Sequence, residues 1–475
     1  MNRRWWALVA VSLATFMTYL DNNVVNVALP TIQRDLGLTI SGLEWIVSGY
    51  MLVFAGLLMV GGRLADLFGQ RRVFLIGLVL FTLASAAAGL SGDGTTLILS
   101  RAAQGLGAAL LAPTALSLIP LTFPDARERG IAVGVWSAIG ALALALGPLA
   151  GGLISENWHW GWIYLINVPI GAVTFALGAW AIGRSGTPAR RRLDLPGLVT
   201  STLALFALTY ALIEGESEGW TSGAIAFAFA LAAAAAVTFV LWESRAEEPM
   251  MELSLFRERV FSGGMLAMGL WSFGVFGIYF FTALWLQNVL GFSPTEAGAA
   301  FVPMALLMAG LAVFAPRIAA RFGTGPTVAT GLGLMAGSMI AMSSIGEHGT
   351  YAGLFPWLML YGLGAGLLVP LTNAILGALP AGRAGLASGV LNVSRQVFGL
   401  LGVTVLGTVL SARQGTAARA GAGPITAFLD GYQLALIVAG IIVAIGVPVG
   451  LLSLRTRPAD TGVTPERSTV PEPVA

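Results

Sequence analysis

"QGLGAALLAPT", residues 104–114, has a counterpart in "YGLGAGLLVPL" at 361–371, an offset of 257. Two further matches flank it in the same order. "GRLADLFGQRRVF" from Gly62 pairs with "PRIAARFGTGPTV" from Pro316 at an offset of 254, and "GIAVGV" from Gly130 pairs with "GLASGV" from Gly385 at 255. Ordered matches at a nearly constant offset mark an internal duplication, and the duplicated unit sets the architecture.

That unit belongs in a bilayer. Of 475 residues 56% are hydrophobic and only 10% charged, with mean hydropathy +0.83, against about 25% charged in soluble domains. Fourteen apolar runs of spanning length follow one another, from 5–28 to 431–453. The repeat matches fall in spans 2–3, 4 and 5 and again in 10–11, 12 and 13, so spans 7 and 8 read as an insertion. The expected fold is all-α and integral to the membrane: two pseudo-symmetric six-helix bundles, residues 1–183 and 261–454, joined by a helix pair and linker at 184–260. The polar, proline-rich tail at 455–475 reads as disordered. Arg3 and Arg4 precede a run too long for a signal peptide, with no small-residue cleavage site, so it reads as the first span.

The 25 basic residues are all arginine. With the N-terminus inside, nearly all of those outside the spans fall in cytoplasmic segments; Arg34, Arg413 and Arg419 fall in outer loops and Arg101 and Arg395 within spans. This places both termini in the cytoplasm. Absence of lysine excludes a Walker A loop and with it ATP-driven pumping of the usual kind. There is no cysteine for thiolate chemistry or a Cys-based metal site. The two histidines, His159 and His348, fall in outer loops and suggest no metal site. The run 243–259, "ESRAEEPMMELSLFRER", reads as a solvated interfacial helix.

"MTYLDNNVVNVALP", 17–30, sets Asp21 in the first span, the one carboxylate this reading assigns to a span. Thr15, Thr18, Asn22 and Asn26 recur at helical spacing and form a polar stripe that Asp21 borders. Such a stripe must face protein or water. A charge at membrane depth costs about 2.5–3.5 kcal/mol on the insertion scale. Burial disfavours the charged form of any carboxyl group, so a lone acid there is a candidate proton carrier. Counting 1.5 Å per residue along the helices puts Asp21 and Arg101 at matching depth. Its repeat-equivalent position is Leu358, so the fold itself does not require the arginine. The alternative for the pair is a purely structural salt bridge.

Parallel six-span halves are the plan of transporters with a substrate site near the midplane between them. "LDNNVVNVALP", "GGRLADLFGQRR", "LSRAAQGLGAALLAP", "GPLAGG", "WGWIYLINVPIG", "EEPMMELSLFRERVF" and "LQNVLGFSPTEAG" together resemble the signatures of the fourteen-span drug:proton antiporters of the major facilitator superfamily. The resemblance covers residues 15 to 410. It implies that Arg101 takes part in proton transfer with Asp21. It implies that Gly62, Asp66, Gly69, Arg71 and Arg72 form a conformational latch, although Leu67 and Gln70 stand where basic residues are usual. It further implies that Gly134, Gly147, Pro148, Gly151 and Gly152 belong to the antiporter motif linked to export, with Ala143 in place of a usual glycine. Gly140, Ala143, Gly147 and Gly151 repeat as a small-residue face that admits a close helix neighbour.

Asn22, Asn26, Gln104, Trp136, Tyr279, Tyr361, Asn392, Arg395 and Gln396 are the expected substrate-cavity residues. Trp271, Phe280, Phe281 and Trp285 could extend an aromatic pocket. The expected function is proton-driven export of small amphipathic drugs or metabolites by alternating access, at the cytoplasmic membrane, as a monomer. Small molecules, protons and lipid are the partners; no nucleic acid, cofactor or metal is implied. An exporter dedicated to one natural product or lipid is the first alternative, and an importer or a non-transporting sensor are more remote. No span holds the acid pairs, histidine clusters or nucleophile–base sets of an enzyme.

Overall fold

The computed structural model describes residues 3–183, 194–249, 251–347, 349–378 and 384–454; His348 and the tail from residue 455 lie outside them. Among the described residues the regular structure is helical throughout. The N-terminal half comprises α1 (Arg3–Leu36), α2 (Ile40–Phe68), α3 (Gln70–Gly89), α4 (Gly94–Thr122), α5 (Ala126–Asn157), α6 (Trp162–Leu165) and α7 (Asn167–Ala181). A pair follows, α8 (Leu195–Glu218) and α9 (Gly223–Glu243). The C-terminal half is α10 (Arg259–Asn288), α11 (Pro294–Phe322), α12 (Thr324–Met342), α13 (Tyr351–Gly366), α14 (Val369–Gly377), α15 (Ala384–Arg419), α16 (Pro424–Ala444) and α17 (Gly446–Ser453).

Thirteen segments among the described residues are long and apolar enough to cross a bilayer. The 32-residue α5 takes the remaining place in the series, which accommodates fourteen crossings. Spans six, twelve and fourteen are each broken into two helices, α6–α7, α13–α14 and α16–α17. Pro169, Pro370 and Pro448 fall in the first turn after each break, where a missing N–H leaves no carbonyl unpaired.

The duplication is visible in the packing. α1 lies on α5 as α10 lies on α15, and α2 and α3 lie on α4 as α11 and α12 lie on α13. Across the middle the roles exchange: α5 meets α11, and α15 meets α2. Even the turns correspond. Gly69 joins α2 to α3 at φ +90°, and Gly323 joins α11 to α12 at φ +94°; both conformations favour glycine. Fourteen crossings would place Arg3 and Leu454 on one face, called here the terminal face, with the turn at residues 37–39 on the opposite, far face.

The halves are joined by hydrogen bonds toward the far face. Ser48 of α2 meets Thr404 of α15 at 3.4 Å, and Gln287 of α10 donates to the Val27 carbonyl at 2.8 Å. Glu156 at the end of α5 accepts from Ser293 and from the Thr295 backbone at the start of α11. α8 packs against both α2 and α15 along this seam.

Two expectations are corrected. The linker before α10 is no continuous interfacial helix: Pro249 interrupts it, and only Leu253–Arg257 form a short 3-10 turn. Arg34, Arg413 and Arg419 sit on α1 and α15 rather than in loops, because those helices run several residues beyond their apolar runs.

Candidate functional site

Asp21 has 0% exposure and lies inside the N-terminal half. Its Oδ2 accepts from Arg101 Nη1 at 2.5 Å. Its Oδ1 accepts from Gln104 Nε2 and from Asn167 Nδ2, both at 2.9 Å. Ser85 Oγ bridges the two amides, accepting from Gln104 at 2.7 Å and Asn167 at 3.3 Å. Arg101 Nη1 also reaches Gln104 Oε1 at 3.0 Å, and its Nε donates to the Ile46 carbonyl at 3.2 Å. The guanidinium lies 4.4 Å from the Tyr50 ring centre and 5.6 Å from that of Tyr164, within cation–π range.

Five structural pieces build this cluster: α1, α2, α3, α4 and the broken span α6–α7. Each has a local reason to hold its place. Arg101 and Gln104, three residues apart, share a face of α4. That helix is started by Asp93, whose carboxylate accepts from the Thr96 backbone N–H at 2.8 Å and its hydroxyl at 2.7 Å. These bonds hold the Asp93 carboxyl below its ordinary range. Asn167 opens α7, and Gly105 lets α4 lie directly on the Tyr50 backbone of α2. A buried ion pair is tolerated only when good geometry and further hydrogen bonds offset its desolvation; the Asp21 carboxylate has three donors, while Arg101 Nη2 has no hydrogen-bond partner among the described residues.

Sequence reasoning missed Asn167 and Ser85. The lone asparagine in "WGWIYLINVPIG" was the available signal. Gln104, expected in the substrate cavity, is fully buried in this cluster. Tyr279 and Tyr361 are likewise sealed, at 5% and 1% exposure. The Tyr279 ring packs 4.9 Å from Phe301, while Trp285 stacks on Tyr432 at 6.0 Å.

Of the other expected residues, Asn26 is buried and the rest are partly open. Trp136 donates to Thr15 Oγ1 at 2.8 Å, tying α5 to the polar stripe of α1. Asn22 is half-buried and Asn26 buried. On the opposite half Asn392, Arg395 and Gln396 are half-buried, with the Arg395 guanidinium 5.2 Å from the Trp271 ring.

The small-residue face of α5 meets α1: a Cβ on Gly140 would touch Tyr19, on Gly147 Asn23, and on Gly151 the Val24 carbonyl. Pro148 and Gly152 turn instead to α11, where Gly298 rides on the Pro148 carbonyl and Gly152 on that of Pro294. Gly134 has nothing within 4 Å. In the α2–α3 turn, Asp66 accepts from Gln70 at 3.3 Å, and Arg71 donates to the Ala179 carbonyl at 2.5 Å. Gly62 lies beside Pro113, and Arg72 is exposed.

Asp21 is not the only acid in a span. Glu44 of α2 is 2% exposed, and its Oε2 has no hydrogen-bond partner among the described residues. In the inserted pair, Glu214 of α8 accepts from Trp45 at 2.8 Å.

Comparison with known proteins matches this arrangement. The description "Major Facilitator Superfamily" fits residues 11–403. The chain is 39% identical to puromycin resistance protein pur8 of Streptomyces alboniger, covering 95% of this chain and 90% of that protein. It is 38% identical to multidrug resistance protein Stp of Mycobacterium tuberculosis, covering 87% and 77%. Among solved structures, a bacterial homologue of the human lysosomal transporter Spinster, inward-facing and unoccupied, superposes at TM-score 0.68 with 16% identity, covering 96% and 98%. At that identity the likeness concerns fold alone. The chain is a multi-pass membrane protein and belongs to the Major Facilitator Superfamily.

Proposed function

We propose that this protein exports small amphipathic drugs or metabolites in exchange for protons, with Asp21 as the coupling carboxylate and Arg101 as its counter-ion. The sealed Asp21–Arg101 pair, held by Gln104 and Asn167, is the observation that carries the reading. The two resistance relatives support the substrate class. The arginine bias supports a cytoplasmic terminal face, which makes the far face the outer one. Residues 1–183 and 261–454 are then the two rocking units, with 184–260 between them.

In the cycle, outward opening admits a proton to Asp21 and loosens its hold on Arg101, which favours substrate release. Rocking inward returns the pair to the dry geometry described above, and the proton leaves to the cytoplasm as new substrate enters. At an illustrative 150 mV a proton supplies about 3.5 kcal/mol, which sustains a gradient of a few hundredfold. One coupling carboxylate therefore suffices energetically. Pro148 and Gly152 on α11, and the α2–α3 turn, are the contacts expected to remake as the halves rock.

The test uses energised inside-out vesicles containing an acid-quenched dye. Cationic and neutral drugs are added to vesicles with and without the protein. Drug-dependent dequenching that requires the protein supports antiport. A folded protein that gives no signal across a broad panel contradicts the multidrug reading and favours a single dedicated substrate.

A further inference from the structure

Glu44 presents a carboxyl group sealed in a seam between the two halves. Its side chain lies against Gly407 of α15, where an added Cβ would collide with the carboxylate. One turn along the same helices, Ser48 meets Thr404 at 3.4 Å. Behind the seam stands α8, where Glu214 accepts the Trp45 indole N–H and the Leu212 carbonyl accepts from Thr408 at 2.8 Å.

Among the described residues no hydrogen-bond partner reaches Glu44 Oε2. The stretch of α15 around Gly407, 399–410, carries no charge, and beyond it Arg413 pairs with Asp430 at 3.4 Å and Arg419 with Glu216 of α8 at 3.8 Å. α8 contributes Glu214, a second acid. α4 contributes Arg101, whose guanidinium is committed to Asp21 and the Ile46 carbonyl. α1 contributes Asp21, which is paired with that arginine. The charged residues of α3, Arg71 and Arg72, lie at its opposite end. A buried carboxylate needs a partner or a proton, and the described residues give its Oε2 no partner.

We infer that Glu44 is a second proton-binding site, which locks the outer seam when protonated and opens it when ionised. This inference rests on the alternating-access reading above. Parting α2 from α15, as outward opening requires, would expose the Glu44 carboxyl to outside water, where it can ionise. Closing the seam returns it to a dry niche beside Gly407 and Glu214 that accepts only the neutral form. Acid on the outer side therefore favours closure, and the inserted pair has a role: α8 backs the seam and supplies the like charge that penalises ionised Glu44.

The chain has no cysteine, so a spin-label pair at Arg34→Cys and Ala418→Cys, both exposed near the outer ends of α1 and α15, reports the seam. Distances are measured in lipid nanodiscs from pH 5 to 8 for the labelled protein and for Glu44→Gln and Asp21→Asn on the same background. One proton held by the closed state changes the closed-to-open ratio by up to about tenfold per pH unit. The expected result is that Glu44→Gln alters the slope of the logarithm of this ratio against pH by about one and favours the closed distance throughout. Asp21→Asn should retain the Glu44 component. A Glu44→Gln protein with the closed distance intact is folded, so loss of structure is separable from loss of titration. An unchanged slope in Glu44→Gln, or a labelled parent whose distances ignore pH, overturns the inference. Drug-driven dequenching by the unsubstituted protein judges the transport reading independently of either result.

Discussion

Replacing Arg101 by leucine should destabilise the protein far more than the lost contacts suggest, and Asp21→Asn should recover most of the loss. Both side chains have 0% exposure. Removing one partner of a buried pair typically costs about 3–5 kcal/mol, because it leaves an uncompensated charge. Arg101→Leu strands Asp21 with two amide donors, Gln104 and Asn167, and no cation. Asp21→Asn removes that charge while keeping the shape, and Arg101→Leu with Asp21→Asn leaves neither ion. The double variant should therefore lie well above the sum of the single losses, with a coupling of at least about 2 kcal/mol for so close a pair. Thermal unfolding of the four proteins in one detergent measures this. Additive losses, or an Arg101→Leu protein as stable as its parent, would refute the paired geometry and the switch built on it.

Further outcomes follow from the same coordinates. Gly152→Ala places a Cβ against the Pro294 carbonyl; overpacking of this kind costs about 1–3 kcal/mol, so transport should fall, while Gly134→Ala, with open space around it, should transport normally in the same vesicle assay. Asn167→Ala should weaken proton-driven drug accumulation and spare drug exchange without a gradient, because it removes one of the donors holding the Asp21 carboxylate. The Asp93 carboxyl is held below its ordinary range by its bonds to Thr96, so its capping contribution is complete above about pH 4 and is lost as pH falls through the lowered value. The difference in melting temperature between the parent and Asp93→Ala should accordingly be constant from pH 5 to 8 and close in stronger acid.

Much of this molecule could be read before its coordinates. The duplication was legible because the same short motifs recur at one offset, down to Gly69 and Gly323 adopting the same turn. Matching depths brought Asp21 and Arg101 together on helical rise alone. Which way a polar residue points was harder. Gln104 lies three residues from Arg101, and that spacing already put both on one face, yet membership of a motif drew it toward the cavity. Asn167 follows a helix break that an apolar run conceals. Glu44 sits near a span end, where a carboxylate ordinarily reaches interfacial water; only the approach of Gly407 across the seam shows that it does not. Hydropathy records how long a helix is, and says nothing of what its end is pressed against.

The coupling role of Asp21 is tested most directly in proteoliposomes, with parent and Asp21→Asn proteins compared in two modes. One is accumulation of a drug against its gradient driven by a proton gradient; the other is drug exchange with no gradient imposed. The account predicts that Asp21→Asn abolishes the first and retains the second, since the substitution preserves the shape of the site and removes the carboxylate that would carry the proton. Uphill accumulation by Asp21→Asn at the parent rate would contradict it.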